Sequence, residues 1–313
     1  MKKKCIMIGG TGFIGKNLLA YLADADKTCV NLTRQDLYNV AAINFDGYDT
    51  VIHAAGIAHD VKGNANHDLY YKVNFELTKK LYDRFLVSDA RQFIFLSSVK
   101  AAADSVEGIL TEGVSPQPKT TYGRTKLMAE QYILRQCLLE GKAVYILRPC
   151  MTHGDGNKGN LNLLYSIVQK NIPYPLAAFN NKRSFLSVGN LCFIINEIIE
   201  RDDIPSGIYN AADDEALSTS EVVAILANSL NKKPKLWNIS PKLVNFSARL
   251  GDKLLLPLTT ERLNKLTENY VVSNAKITAA IKKPLPLSTK EGLDLTARFF
   301  NQPNTNSKNI LHG

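Results

Sequence analysis

Tyr122 and Lys126 are the two residues whose types and spacing most directly indicate acid–base chemistry. They enclose Gly123-Arg124-Thr125 in the stretch 122–140, whose apolar spacing predicts a helix. Because residues four positions apart share a helix face, the Lys126 ammonium can approach the Tyr122 phenol and lower its pKa from the ordinary value of about 10. Tyr122 is therefore a candidate general base toward an alcohol and a candidate general acid toward a ketone.

Ser98 contributes a hydroxyl group to the same candidate site. It follows the apolar run 92–97, which predicts a strand. The carboxyl end of a parallel strand lies at the crevice where ligands bind, so Ser98 can hydrogen-bond a reacting oxygen and stabilise its charge. Ser98, Tyr122 and Lys126 are the predicted catalytic residues.

A glycine-rich turn near the start of the chain predicts a phosphate-binding site. The stretch 9–15 has the spacing G-x-x-G-x-x-G between a predicted strand and a predicted helix. Glycines let the backbone approach a pyrophosphate, and the helix N-terminus presents free N–H groups to the anion. The predicted dinucleotide-binding residues of this turn are Gly9, Gly12, Phe13, Ile14 and Gly15.

The end of the second predicted strand bears on which dinucleotide is bound. An acidic residue there would bind the ribose 2′-hydroxyl of NAD, but Thr33 occupies that position and Arg34 follows it. A guanidinium pairs with a 2′-phosphate. The sequence therefore predicts NADP(H) as the preferred cofactor, with NAD(H) possible because Asp36 is near enough to compete for Arg34.

Strands and helices alternate through the first half of the chain, which predicts a parallel sheet covered by helices on both faces. We expect a shortened crossover over 34–50. The predicted strands lie at 5–8, 28–32, 50–54, 92–97 and 143–148, with helices at 13–23, 69–87 and 122–140. Further elements are predicted at 160–170, 185–187 and 191–201, and a capping box at Ser218 and Glu221 predicts a helix to residue 230.

Composition excludes several classes of function. Lys and Arg number 38 against 29 Asp and Glu, a net charge of +9 that favours anionic partners, but no basic stretch carries the interleaved aromatic residues typical of nucleic-acid binding. The longest apolar runs fall far short of the roughly 20 residues that a membrane span needs. Five cysteines without metal-ligand or CxxC spacing predict free thiols, no metal site and a cytoplasmic location.

Taken together, these motifs resemble the extended short-chain dehydrogenase/reductase family of NAD(P)-dependent nucleotide-sugar epimerases, dehydratases and 4-ketoreductases. The resemblance covers about residues 4–290 and rests on the glycine turn, Ser98, Tyr122 and Lys126. It is supported by His53-Ala54-Ala55-Gly56, Asn74, Arg148-Pro149 and Arg183.

The resemblance implies an α/β fold: a Rossmann-type doubly wound parallel sheet with a smaller mixed C-terminal substrate-binding lobe. It implies a Rossmann domain at 1–150, joined by about 184–212, and a substrate lobe at 151–183 and 213–300. The polar composition of residues 301–313 separately predicts a flexible tail. Ala54 and Ala55 would line the cofactor, and Asn74 would brace the active-site helix. A nucleotide-diphosphate sugar would contact Ser98, Lys100, Asn160, Arg183 and Arg262. Members of the family also dimerise through a four-helix bundle, for which 69–87 and 122–140 would serve here.

Departures from the family pattern bear on the reaction. Dehydratases carry an Asp-Glu pair after the catalytic hydroxyl, where this chain has Val99-Lys100, so dehydration is not expected. Ala101-Ala102-Ala103 replaces a stretch typical of 4-epimerases, and His153-Gly154 replaces the usual Tyr-Gly. The pattern is most similar to 4-ketoreductases of polysaccharide biosynthesis that act on UDP-linked N-acetyl-deoxyhexoses.

Three alternatives stay open. The first is a UDP-sugar 4-epimerase, of the UDP-glucose or UDP-GlcNAc type, which would share nearly all these residues. The second is a non-catalytic NAD(P)-binding regulator. The third is association of the basic segment 232–242 and the apolar segment 250–258 with a membrane surface. The competing interpretation is that this stretch forms a helix of the C-terminal lobe that packs on the core.

Overall fold

The computed structural model describes residues 3–58, 67–157, 160–254 and 259–301. In chain order the strands are β1 (Cys5–Ile8), β2 (Cys29–Leu32), β3 (Thr50–His53), β4 (Gln92–Leu96), β5 (Ile109–Leu110), β6 (Ala143–Pro149), β7 (Met151–His153), β8 (Phe185–Ser187), β9 (Gly207–Ala211) and β10 (Val271–Val272). The helices are α1 (Phe13–Asp24), α2 (His67–Tyr70), α3 (Leu77–Val87), α4 (Thr121–Arg135), α5 (Asn160–Gln169), α6 (Val188–Glu200), α7 (Thr219–Ser229), α8 (Pro241–Leu254), α9 (Thr260–Thr267), α10 (Ala275–Ile281) and α11 (Thr289–Asn301).

A six-stranded parallel sheet forms the centre of the fold, with strand order β2-β1-β3-β4-β6-β9. Strands β1, β3 and β4 are buried at every residue, as expected where helices cover both faces of a sheet. One face packs on α1 and α6 through residues such as Leu18, Leu22 and Ile195. The other packs on α3 and α4 through Leu81 and Ile133 among others. The predicted doubly wound α/β fold is confirmed.

The chain reverses its direction of winding at β1, because β2 lies on one side of that strand and β3 on the other. A crevice opens at the carboxyl ends of strands at such a switch point, and ligands bind there in open α/β sheets. The predicted short crossover is a 3₁₀ helix, Asp36–Ala42. The loops that follow β1, β3 and β4 begin at this carboxyl edge. They carry the glycine turn, Ala54-Ala55 and Ser98, respectively.

Three of the elements that differ from prediction lie in or beside the central sheet. Strand β9, not predicted, pairs with β6 and completes the sheet. Helix α4 ends at Arg135 rather than residue 140, since Gln136 adopts extended backbone with φ −78° and ψ 142°. Between α2 and α3 the helix widens into a π-helical stretch, Tyr71–Glu76, a feature frequent at functional sites.

The C-terminal part of the chain builds a separate core from α5, α7, α8, α9 and α11. Helix α7 begins with the predicted capping box, in which Glu221 N–H donates to Ser218 Oγ at 3.1 Å and Ser218 N–H to Glu221 Oε2 at 2.7 Å. Strand β10 pairs with β5 and so connects this part to the loop that follows Ser98. The predicted tail, beyond Asn301, lies outside the described residues, as does the stretch 255–258 of the predicted membrane-surface segment.

Candidate active site

Tyr122 and Ser98 meet at the carboxyl edge of the sheet. Ser98 follows β4 and caps the 3₁₀ turn Val99–Ala101, where its Oγ accepts from the backbone N–H of Lys100 at 3.2 Å. Tyr122 lies in the first turn of α4, which Thr120 caps through the N–H of Gly123. The Ser98 hydroxyl lies near enough to the Tyr122 phenol to influence its pKa. The phenol therefore lies beside the hydroxyl that was predicted to bind the reacting oxygen.

Lys126 lies one turn further along α4 and is 3% exposed. Its Nζ donates to the backbone oxygen of Leu96 at 2.8 Å and stands 4.7 Å from the centroid of the Phe95 ring. Burial disfavours the charged ammonium and lowers its pKa to about 8, while the nearby carboxylate of Glu130 opposes this shift. The ammonium thus lies between β4 and the active-site helix, where burial makes it more acidic than an exposed lysine.

The pKa of Tyr122 moves opposite to the sequence-based prediction. Burial of the hydroxyl raises it, the nearby Ser98 hydroxyl opposes that rise, and Tyr70 adds to it. The expected lowering by Lys126 is wrong for this state of the protein because the ammonium is directed at the Leu96 carbonyl instead. A raised phenol pKa keeps Tyr122 protonated, which suits a proton donor.

Beneath Lys126 lies an ion pair that the sequence analysis did not identify. Glu130 and Arg148 are each about 1% exposed, and the guanidinium binds the carboxylate through Nε at 2.9 Å and Nη2 at 2.5 Å. Ser97 Oγ donates to the same carboxylate at 2.5 Å. The signal was the spacing of Lys126 and Glu130, four residues apart and so on one helix face. This pair fixes α4 to β4 and β6 directly below the candidate catalytic residues.

The glycine turn after β1 leaves room for a bound group. A Cβ on Gly15 would lie 2.2 Å from the oxygen of Gly9, and one on Gly9 would lie 2.5 Å from the nitrogen of Ala55, so these two glycines allow close backbone packing. Gly12 differs: a Cβ there would meet only the Gly9 oxygen, at 3.4 Å. Gly12 is exposed and begins α1 with no side-chain cap, so no side chain at that position satisfies the first N–H groups of the helix, from Phe13 and Ile14. The turn fits the pyrophosphate of a dinucleotide.

Polar contacts order the end of β2 beside this turn. Asn31 Oδ1, which the sequence analysis did not assign, accepts from the Gly10 N–H at 2.9 Å. Thr33 donates to Asp36 Oδ2 through its backbone N–H at 2.6 Å and its hydroxyl at 2.8 Å, and these bonds lower the pKa of Asp36. Arg34 is exposed. Thr33, Arg34 and an ionised carboxylate thus stand together where a ribose 2′-substituent would lie.

Ala54, Ala55 and Asn74 lie between the glycine turn and α4. Ala54 and Ala55 follow β3 and contact Gly9 directly. Asn74, on the π-helical stretch, is fully buried and exchanges two hydrogen bonds with the backbone of Ile57, at 2.9 and 3.1 Å. Its Nδ2 also lies 3.2 Å from Thr125 Oγ1 on α4. The structure thereby connects the loop after β3 to the active-site helix.

Besides Ser98, four residues were predicted to contact a sugar nucleotide. Lys100 Nζ donates to the backbone oxygen of Asp104 at 2.8 Å and lies 4.2 Å from the centroid of the Tyr270 ring. Arg183 pairs through its backbone with Leu217 and Tyr270, and its guanidinium reaches Glu268 at 3.4 Å. Tyr270, not foreseen from the sequence, thus lies between the two cations. Asn160 begins α5 and Arg262 lies in α9, but their side chains fall outside the described part of the structure.

The described ranges contain neither a metal-binding cluster nor a membrane-spanning helix. Within 3–58, 67–157, 160–254 and 259–301, no group of three or more His, Cys, Asp or Glu side chains is arranged to hold a metal ion. In the same ranges, each helix is too short or too polar to cross a bilayer.

The fold and the serine–tyrosine–lysine arrangement beside a dinucleotide turn define an enzyme of the extended short-chain dehydrogenase/reductase type. A family profile described as "NAD dependent epimerase/dehydratase family" matches residues 5–212, and the chain belongs to that family. The resemblance stated from the sequence is confirmed, and the enzyme uses a nicotinamide cofactor.

Two proteins of known sequence illustrate the relationship. The chain is 30% identical over 331 aligned positions to a UDP-glucose 4-epimerase of Vibrio cholerae, covering 97% of each chain. It is 29% identical to the N-acetyl-alpha-D-glucosaminyl-diphospho-ditrans,octacis-undecaprenol 4-epimerase of Escherichia coli O157:H7, covering 74% of each. The fold matches that of RMD from Pseudomonas aeruginosa, solved with NADPH, at a TM-score of 0.73 and 18% identity over 95% of this chain and 99% of that one.

Proposed function

We propose that this enzyme carries out reversible oxidation and reduction at C4 of a UDP-linked sugar, and that the net reaction is 4-epimerisation. The observation that carries the proposal is that Ser98 after β4 and Tyr122 at the start of α4 lie side by side at the carboxyl end of the sheet whose first loop is the glycine turn. The relative from Vibrio cholerae, aligned over nearly the whole of both chains, supports the choice of reaction and substrate.

Each residue of the site has a distinct task in this proposal. A nicotinamide bound along the glycine turn supplies the hydride acceptor and donor. Tyr122, once ionised beside the positive ring of the oxidised cofactor, would remove the proton from the C4 hydroxyl and return it to the ketone, and Ser98 would hold the oxygen throughout. Lys126, with its pKa lowered by burial, keeps a proton available behind Tyr122. The Glu130–Arg148 pair holds these groups in position.

A second function is favoured by Arg34. An exposed cation at the end of β2 suits the 2′-phosphate of NADPH, the cofactor present in the structure of RMD. Net 4-keto reduction of a UDP-linked N-acetyl-deoxyhexose for polysaccharide synthesis would consume such a cofactor. It would use the same Tyr122 as the proton donor.

One experiment separates the two reactions. The purified protein is incubated with UDP-glucose, UDP-GlcNAc and 4-keto UDP-sugars, while the absorbance of the reduced cofactor and the sugar products are followed. Epimerisation converts a 4-hydroxy sugar without net cofactor consumption. Stoichiometric oxidation of NADPH by a 4-keto sugar supports reduction instead, and inertness toward every UDP-sugar would contradict both proposals.

We also propose that NADP(H) is preferred over NAD(H), through Arg34. Arg34→Ala removes the charge that would pair with the 2′-phosphate and should weaken NADP binding about tenfold or more while leaving NAD binding nearly unchanged. Asp36→Asn is the matched control: it removes the carboxylate beside Thr33, so NADP binding should not weaken. Isothermal titration with both cofactors measures this, and equal losses for the two cofactors in Arg34→Ala would contradict the preference.

A further inference from the structure

Helix α8 presents two different apolar faces. Val244, Ala248 and Gly251 are buried and lie on the side that faces the C-terminal core. Leu243 and Phe246, by contrast, are 62% and 61% exposed. Together with the 40% exposed Leu250 they occupy positions i, i+3 and i+7, so they form a single stripe on the outer surface of the helix. This stripe is not needed for packing of the helix on its own core.

Basic side chains border this outer stripe. Lys242, Arg249 and Lys253 are all exposed and also follow a helical spacing of seven and four residues. An α-helix turns by about 100° per residue. This rotation places the basic stripe immediately beside the apolar stripe of Leu243, Phe246 and Leu250, on the side of the helix that points away from the buried face. Across the remaining outer surface lie Asn245 and Asp252. The helix therefore exposes an apolar stripe and a cationic stripe next to each other, which we call the α8 outer face.

The segment that precedes α8 also exposes apolar and basic side chains. Trp237 is the single tryptophan of the sequence and is 56% exposed, while its backbone N–H is held by the oxygen of Tyr174 at 2.9 Å. Lys233 and Lys235 are exposed just before it. An exposed indole beside lysines is typical of a segment at the boundary between water and lipid, because the ring places its apolar body in one phase and its N–H in the other.

We infer that the α8 outer face, with Trp237, docks the enzyme on the surface of a bilayer that contains anionic phospholipids. The apolar stripe would enter the boundary between headgroups and acyl chains, and the lysines and arginine would pair with lipid phosphates. The helix would lie in the plane of the surface and would not cross it, in agreement with the short and polar helices of the described chain.

Charge argues for this occupant over a second copy of the chain. A two-fold interface through the α8 outer face would place the basic stripe of one copy near the basic stripe of the other, and like charges across an interface repel. An anionic lipid surface complements the same stripe along its whole length. The net charge of +9 adds a long-range attraction of the same sign.

Vesicle sedimentation tests the inference on the intact protein, independently of any sugar substrate. Wild-type protein should sediment with phosphatidylglycerol–phosphatidylcholine vesicles but not with pure phosphatidylcholine, and salt should weaken the binding. The Trp237 emission should move to shorter wavelength on binding, because it is the one tryptophan present. Absence of binding to the anionic vesicles would overturn the proposal.

Paired variants locate the surface. Leu243→Gln/Phe246→Gln and Lys242→Glu/Arg249→Glu should each lower the partition onto anionic vesicles about tenfold or more. The matched controls change equally exposed positions elsewhere: Leu163→Gln/Val87→Gln for the apolar pair and Lys80→Glu/Arg135→Glu for the basic pair. Cofactor binding and circular dichroism establish that each variant is folded.

Two outcomes of the variants would overturn the proposal. One is equal loss of vesicle binding in the α8 variants and in the controls, which would mean that overall charge alone is responsible. The other is a wild-type dimer that Leu243→Gln/Phe246→Gln converts to a monomer without any change in vesicle binding, which would assign the face to a second copy.

Discussion

Lys126 shows at the scale of single residues how the fold tunes a reactive group. Its ammonium is nearly enclosed by Leu96 and the Phe95 ring, so burial lowers its pKa, while Glu130 partly compensates from one turn away. Arg148 in turn neutralises Glu130, which would otherwise hold the lysine proton more tightly. Tyr122 and Lys126 thus lie one turn apart on α4, and we propose that the lysine serves the phenol as a proton reservoir.

Replacing Tyr122 by Phe should lower kcat by about 10²–10⁴ while cofactor affinity changes little, since only the proton donor is lost. Steady-state rates of the wild type and the variant are compared, with the UDP-sugar that proves to be a substrate in the experiment proposed above. Tyr48→Phe, at the opposite edge of the sheet just before β3, is the control and should retain full activity. A Tyr122→Phe enzyme with normal turnover would show that another group moves the proton.

The lowered pKa of Lys126 predicts how the free energy of unfolding depends on pH. Its folded pKa of about 8 lies below the ordinary value of 10.5, so between these values the unfolded chain holds a proton that the folded protein has released. The free energy of unfolding should therefore rise with pH across this window. In Lys126→Met, whose side chain does not titrate, the rise should be smaller by an amount on the order of 1 kcal/mol or more. Urea unfolding of both proteins from pH 8 upward measures the difference, and parallel curves would contradict it.

At the scale of elements, the glycine turn combines two requirements in one segment. Gly9 and Gly15 are needed by the protein itself, because their missing side chains let β1, β3 and α1 approach one another. A side chain on Gly12 would contact only the Gly9 oxygen, at 3.4 Å, so the protein itself does not require glycine there and we propose that the bound cofactor does. The three glycines of the G-x-x-G-x-x-G motif therefore have different roles.

Two single substitutions distinguish these roles. Gly15→Ala should lower the free energy of unfolding by about 1–3 kcal/mol, since its Cβ would collide with the Gly9 oxygen. Gly12→Ala should leave stability nearly unchanged, because its φ of −75° suits alanine, but should weaken cofactor binding about tenfold. Chemical denaturation and cofactor titration are run on both variants. If Gly12→Ala bound the cofactor normally, the turn would not approach the pyrophosphate as proposed.

At the scale of the whole molecule, Tyr270 joins the C-terminal core to the catalytic edge. Its hydroxyl donates to the Ala103 oxygen at 2.7 Å, its ring faces Lys100, and the residues after it form β10 against β5. The loop that follows Ser98 is thereby held by a segment distant in sequence. We propose that residues 151–183 and 213–300 form the substrate lobe, attached to residues 1–150 and about 184–212 partly through this contact.

The outer surfaces of the π-helical stretch and α4 predict a homodimer through a four-helix bundle. Tyr71, Phe75 and Tyr132 form a chain of ring contacts there, with centroids 5.1 and 6.4 Å apart, and Tyr71 and Met128 remain 39% and 37% exposed. Light scattering should give twice the mass of one chain for the wild type and one chain for Tyr71→Arg/Met128→Arg. Leu163→Arg, on α5, is the control and should remain a dimer. A monomeric wild type would contradict the prediction.

Features set by neighbours in sequence were readable from the sequence alone. The β1 strand, the glycine turn, the Tyr122–Lys126 spacing and the Ser218–Glu221 capping box depend on residues within a few positions of one another, so local pattern and backbone geometry determine them. The parallel sheet could also be predicted, because apolar strands that alternate with helices form few other arrangements. The family membership rested on these same local motifs.

Features that depend on distant residues were decided only by the tertiary structure. Strand β9 is short and weakly patterned, and pairing with β6 across some sixty positions makes it a strand. The contacts of Asn31 with Gly10, of Glu130 with Arg148 and of Lys100 with Tyr270 join separate segments. The direction of the Tyr122 pKa shift depends on burial and on where Lys126 points. Desolvation and contact geometry are properties of the packed molecule, and no local sequence pattern encodes them.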